Sequence, residues 1–158
     1  MSSGRHSRLG IAMAISAGAL ISACAASSAQ VAPEAPITRT VDAGLQWGPC
    51  PPIFPAGCQI AVLHGDPARP NADVFLRVPG GYQIPAHSHT SPERMILIEG
   101  RLNVHYKGAP AEMLTLGEYA YGPAKMPHQA TCLGDKPCTL FIAFEGPVDA
   151  EASAAILD

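Results

Sequence analysis

Charge is scarce in this chain and is not gathered anywhere. Charged residues make up 15% of the 158, with 10 basic and 13 acidic. No stretch concentrates Lys and Arg, which argues against a nucleic-acid partner, because phosphate binding needs clustered cations. There is no Walker loop, no dinucleotide-binding glycine pattern and no serine nucleophile elbow. Phosphoryl transfer, nicotinamide chemistry and serine hydrolysis therefore find no support. Helical periodicity is nearly missing too. The one helix-like stretch is the Ala-rich tail within residues 149–158, and it is too short to be a stable helix alone.

What the chain does have begins with a leader. Arg5 and Arg8 precede an uncharged, mostly apolar run from Leu9 to Ala23, the pattern of a secretory signal over residues 1–23. Ile21-Ser22-Ala23-Cys24 resembles a bacterial lipobox, which would make Cys24 the lipidated first residue of the mature protein. Ordinary cleavage after Ala29, before Gln30, competes with it. An uncleaved anchor is the third reading, weakened by an Ala/Ser-rich second half that is poorly apolar for the roughly 20 residues a span needs. The expected location is the bacterial cell envelope or periplasm, with contact to a membrane only through a lipid anchor. Losing Arg5 and Arg8 leaves 8 basic against 13 acidic residues, a net charge near −5.

Residues 24–44 are rich in Ala, Ser and Pro and read as a tether. The folded domain is expected over residues 45–148. Short apolar runs alternate there with turn residues: Gln59–Leu63, Asp73–Val78, Arg94–Ile98, Arg101–Tyr106, Glu118–Tyr121 and Cys138–Phe144. That spacing predicts an all-β sandwich or barrel. The Pro-rich stretch from Trp47 to Gly57 is expected to pack across one end of the core. With Cys24 set aside, four cysteines remain. An even number in an exported protein reads as disulfides, and three pairings exist. The local pairs are simplest: Cys50–Cys58 across a Pro-rich loop and Cys132–Cys138 across a hairpin turn.

The chemistry concentrates in one segment. Gly81-Tyr-Gln-Ile-Pro-Ala-His87-Ser-His89-Thr-Ser-Pro-Glu93 carries two histidines one residue apart and a carboxylate four positions on. Residues i and i+2 of a strand share a face, so His87 and His89 would aim into one space. Glu93 would open the next strand beside them, with Met95 and Leu97 on its inward parity and Arg94 outward. Imidazole and carboxylate together suit first-row divalent metals. An apolar pocket around such an ion would fit a small organic ligand.

This segment resembles cupin motif 1, and every fixed position from Gly81 to Gly100 is met. The later segment Gly117 to Cys132 resembles cupin motif 2, with Gly117, Pro123 and His128 in place. Lys125 stands where the family usually has glycine and Cys132 where it usually has asparagine. Lys125 suggests a somewhat different turn before His128. Cys132 shares the inward parity of His128, as a free thiol near a metal or as half of a disulfide. The resemblance implies a jelly-roll β-barrel in which His87, His89, Glu93 and His128 bind one divalent transition ion: Fe, Mn, Ni, Co or Zn. It implies a metal-dependent enzyme of oxygenase, isomerase or decarboxylase type acting on a small organic acid or phenolic compound. The alternative is a non-catalytic module that holds a metal or small ligand for sensing. A homodimer paired through sheet edges is among the arrangements the resemblance allows. His64, His105 and Glu99 carry weak signals. Tyr106, Tyr119 and Tyr121 are candidates for lining the barrel mouth.

Overall fold

A computed structural model describes residues 36–155. The leader, Cys24, the first part of the tether and the last three residues of the tail lie outside the described residues. Among the described residues eleven strands form two antiparallel sheets: β1 (Trp47–Pro49), β2 (Gln59–His64), β3 (Ala72–Val78), β4 (Gln83–Ser88), β5 (Glu93–Glu99), β6 (Leu102–Tyr106), β7 (Glu112–Leu114), β8 (Tyr119–Gly122), β9 (His128–Cys132), β10 (Cys138–Phe144) and β11 (Glu151–Ala152). One sheet runs β1-β2-β3-β10-β5-β8 and the other β11-β4-β9-β6-β7. This is the all-β architecture expected from the short alternating runs, in the jelly-roll form that the resemblance implies.

Alternation explains how each strand faces the core. Along β5, Glu93, Met95 and Leu97 are buried while Arg94, Ile96 and Ile98 are half-buried. Along β9, His128, Ala130 and Cys132 are buried with Gln129 and Thr131 between them. Leu97, Leu102, Val74 and Val78 are fully enclosed between the two sheets. The turn from β5 to β6 depends on Gly100. Its φ is +87°, and a Cβ there would lie 2.5 Å from the Pro137 carbonyl oxygen and 2.8 Å from Cys138 Sγ. Only glycine meets both the left-handed backbone and the close approach.

Both local disulfides are closed, Cys50–Cys58 with Cα atoms 5.5 Å apart and Cys132–Cys138 with Cα atoms 5.8 Å apart. The second is not a bridge within a hairpin. β9 and β10 follow one another in the chain but lie in opposite sheets, so the bond staples sheet to sheet inside the core. Closing that short loop contributes about 2 kcal/mol by restricting the unfolded chain.

Among the described residues the tail contains no helix. Glu151 and Ala152 form β11 and pair with Ser88 and His87 of β4. Alanine favours a helix locally, but an exposed sheet edge offers backbone partners that a helix of two turns could not match. Among the described residues no helix is long and apolar enough to cross a membrane, which leaves β-barrel spans unaddressed.

Candidate metal centre

Three elements bring the site together. β4 delivers His87, the chain just beyond its end delivers His89, and β9 opens on His128, paired directly with His87. β5 opens on Glu93. All four side chains are buried, Glu93 to 2% exposure. The rings of His87 and His128 lie 4.2 Å apart, those of His87 and His89 4.9 Å, and those of His89 and His128 5.3 Å. One ligand atom from each histidine lies within 4.8 Å of the other two, so the cluster could hold a metal ion.

The Nδ1 atoms show which nitrogens are free to do so. His87 Nδ1 donates to the Pro85 carbonyl at 2.7 Å and His128 Nδ1 to the Met126 carbonyl at 3.2 Å. His89 Nδ1 donates to the Asp149 carbonyl. With every Nδ1 proton directed at a backbone oxygen, the three Nε2 atoms face the centre. Such outer partners fix both tautomer and ring orientation in metal sites.

The carboxylate completes the set. Glu93 Oε1 lies 3.1 Å from His128 Nε2 and Oε2 lies 3.4 Å from His89 Nε2. Yet His89 Nε2 and Glu93 Oε1 are buried without a hydrogen-bond partner. The 3.1 Å approach is thus an ionic contact rather than an aligned hydrogen bond. Buried polar atoms left unpaired are costly, and a cation between three imidazoles and a carboxylate would satisfy them. The donor set of three nitrogens and one oxygen suits a first-row divalent ion.

Electrostatics point the same way. Burial and the neighbouring His128 push the His87 imidazole down to about 4, so it is neutral at physiological pH. Burial would lower His128 as well, but the Glu93 carboxylate outweighs it and holds that imidazole above its ordinary value. Burial would raise Glu93; the surrounding imidazoles overcome this and hold it low.

The cavity beside the cluster is small, about 50 Å³. That is room for roughly three to five waters at the ~10–15 Å³ each requires. Met95, Ile142 and Phe144 help form its apolar wall, and the Pro-rich loop supplies Cys50, Pro51 and Phe54. Phe54 sets its ring edge-on against His87 at 5.0 Å, so this loop does cross one end of the core.

Gly122 and Lys125 shape the approach. Gly122 pairs with Glu93 across the β5–β8 ladder, and a Cβ there would lie 2.8 Å from Glu93 Cγ and Oε1. Lys125 takes φ 60°, the left-handed conformation that favours glycine. Lysine has therefore changed the residue without removing the glycine-like backbone. The Lys125 amide donates to the His89 carbonyl at 2.8 Å, tying this turn to the other histidine.

The other candidates scatter. Cys132 is inward, as its parity implies, but bridged, so it is neither ligand nor thiol. Tyr119 and Tyr121 are exposed and do not line the cavity. Tyr106 packs 5.2 Å from the His128 ring with its hydroxyl buried and unpartnered, and burial raises its phenol well above the ordinary value. His64 is exposed, and His105 faces a surface groove beside Gln129. Glu99 lies away from the cluster and accepts a 2.9 Å hydrogen bond from the buried Thr139 hydroxyl. Arg94 turns outward to Glu145 at 3.2 Å. Asp149, Phe54 and Gly122 were not singled out from the sequence. Only the Gly122-Pro123 pair carried a local signal, and that signal was for a turn.

The profile of the ChrR cupin-like domain family matches residues 38–149. No curated protein matches significantly. Among solved structures, the chain is similar to one of the DMSP lyases RdDddP and RnDddQII, with 22% identity, TM-score 0.60, and coverage of 70% of this chain and 63% of that one. It is similar to the DMSP lyase DddQ from Ruegeria pomeroyi DSS-3, with 20% identity, TM-score 0.59, and coverage of 72% and 64%. An RmlC-like cupin from Shewanella frigidimarina NCIMB 400 matches with 19% identity, TM-score 0.55, and coverage of 66% and 86%. The chain thus spans just under two thirds of the length of the two lyases. At these identities the likeness establishes the fold.

Proposed function

The chain belongs to the ChrR cupin-like domain family, and from that premise we propose that it carries one resident divalent transition ion, Fe, Mn, Ni, Co or Zn. The ligands are the Nε2 atoms of His87, His89 and His128 and a Glu93 carboxylate oxygen. The observation that carries this reading is the pair of orphaned buried atoms within the cluster, His89 Nε2 and Glu93 Oε1. When bound, the metal would supply Lewis acidity at the cluster.

We further propose an enzyme of oxygenase, isomerase or decarboxylase type acting on a small organic acid or phenolic compound. The protein's own residues supply the surroundings. The three carbonyl-anchored rings are preorganised, and Phe54, Met95 and Phe144 limit water around them. A cavity of about 50 Å³ admits the reactive end of a substrate rather than its whole body. Two of the fold neighbours are lyases by name, in keeping with an enzyme.

A second reading has its own support: a metal- or ligand-holding module of the cell envelope without turnover. Asp149, among the described residues the one ionisable residue on the cavity wall outside the ligand set, has its carboxylate engaged by Thr90. Among the described residues, that leaves no free acid or base on the wall. Turnover of small carboxylates or phenols by protein reconstituted with Fe²⁺ or Mn²⁺, assayed with and without O₂, decides between them. Metal-dependent product formation lost in His128→Ala supports the enzyme. Tight metal uptake with no turnover across the panel supports the module. Export with a lipid on Cys24 also remains our proposal, checked by the mass of the mature N-terminus, and a homodimer by sedimentation.

A further inference from the structure

Two of the three histidines are oriented from close by. His87 and His128 each use the carbonyl two residues back in their own segment, Pro85 and Met126. His89 differs. It lies beyond the end of β4, and its Nδ1 partner is the carbonyl of Asp149, 60 residues away.

Asp149 is gripped on the other side by the residue next to His89. The Thr90 amide donates to Asp149 Oδ1 at 3.0 Å, and the Thr90 hydroxyl donates to Oδ2. The segment around Asp149 is pinned at both ends. Upstream, the Val148 amide donates to the Pro67 carbonyl at 2.8 Å; downstream, the Ser153 amide donates to the Ala86 carbonyl at 2.9 Å. Between them β11 pairs with Ser88 and His87. Val148, Asp149 and Ala150 form part of the cavity wall.

We infer that Asp149 is a positioning residue: its carboxylate, clamped on Thr90, holds the C-terminal strap so that its own carbonyl sets the His89 ring for metal binding. The two contacts act in series. The carboxylate fixes Asp149 against the His89–Thr90 backbone, and the carbonyl then meets Nδ1 at one ring angle. A freely rotating His89 would lose its Nε2 direction while His87 and His128 kept theirs. The clamp matters most here because the loop from His89 to Pro92 has no strand to hold it. The inference rests on the metal reading above.

The test uses the full mature chain and Co²⁺ as probe, followed by visible absorption. Asp149→Ala is expected to weaken Co²⁺ binding about tenfold or more, the scale of losing an outer partner, and to alter the Co²⁺ spectrum. Asp149→Asn keeps an acceptor for the Thr90 amide and should restore most of the affinity. Thr90→Val should weaken binding too, and the double variant should be no weaker than Asp149→Ala. A second readout needs no metal. In ¹⁵N–¹H spectra of the metal-free protein, the His89 ring Nδ1 proton should exchange faster in Asp149→Ala, with those of His87 and His128 unchanged. Wild-type Co²⁺ affinity and an unchanged His89 resonance would overturn the inference. So would equal loss of all three ring protons alongside a lower metal-free melting point, which would mark general damage. If the wild type took up no Co²⁺, the metal reading would fall, and the ring proton alone would decide the positioning role.

Discussion

The two ends of the barrel are closed by opposite chemistry. β5, β9 and β10 each run from one end to the other. At one end β9 begins with His128, β5 with Glu93, and β10 finishes at Phe144 against His89. At the other, β9 finishes at Cys132, β5 runs into Gly100, and β10 begins with Cys138. The second end is covalently stapled and sterically exact about its glycine, and its buried Thr139 hydroxyl is already paired with Glu99. The first gathers four buried polar side chains and leaves two of their atoms unpaired. One end is thus covalently closed while the other keeps unspent binding capacity, an arrangement suited to a scaffold that carries a site.

The largest expected effect breaks the polar end alone. Glu93→Gln removes the only negative ligand, so affinity for a divalent ion should fall by more than ~100-fold, beyond the range for outer partners. Calorimetric titration checks it, with the Cys132–Cys138 bond still intact by mass.

Acid should also act on the polar end. His87 has a folded value of about 4 against an ordinary 6.5, so the folded protein excludes a proton that the unfolded chain binds. Its contribution is complete above about 6.5 and is lost as pH falls toward about 4, on the order of 2–3 kcal/mol. Glu93, also lowered, adds a loss at still lower pH, as its folded carboxylate is protonated. His128 is raised, so its contribution is present below its ordinary value and fades as pH climbs through the folded one. Denaturant midpoints of metal-free protein should rise from pH 4 to 6.5 and then decline. A bound metal must also displace the His128 proton, so affinity should increase with pH near neutrality.

Replacing Cys132 and Cys138 together by alanine tests the stapled end. Stability should drop by about 2 kcal/mol or somewhat more, with metal affinity unchanged. Gly122→Ala returns to the polar end, since its Cβ would contact Glu93 at 2.8 Å. About a tenfold loss of metal affinity is expected from the displaced carboxylate, on the scale of other ligand-orienting contacts. The smallest effect is Lys125→Gly. Relief of the left-handed conformation is offset by a more flexible unfolded chain, leaving a gain of no more than about 1 kcal/mol. Thermal unfolding measures it.

These two ends were not equally legible from the residues. The polar end was readable because strand parity is a local rule: His87, Glu93 and the inward Met95 follow from spacing alone. The disulfide partners were readable too, since short loops favour local bridges. That Cys132–Cys138 joins two sheets was not, because a hairpin and a sheet-to-sheet crossing look alike over six residues. The strand in the tail was not legible, because alanine content reports only a local helical preference, while the free edge of β4 is a property of the finished fold. Asp149 was invisible for a related reason. It reaches His89 through a backbone carbonyl, which every residue possesses, so no residue type marks it.

The most direct test of the central claim is the metal content of the exported protein, purified without chelators, beside a His87→Ala/His128→Ala variant. The account predicts near-stoichiometric transition metal in the wild type and none in the variant, with both proteins folded and both disulfides formed. A folded wild type that holds no metal, even after incubation with Fe²⁺, Mn²⁺, Co²⁺, Ni²⁺ and Zn²⁺ in turn, would contradict it.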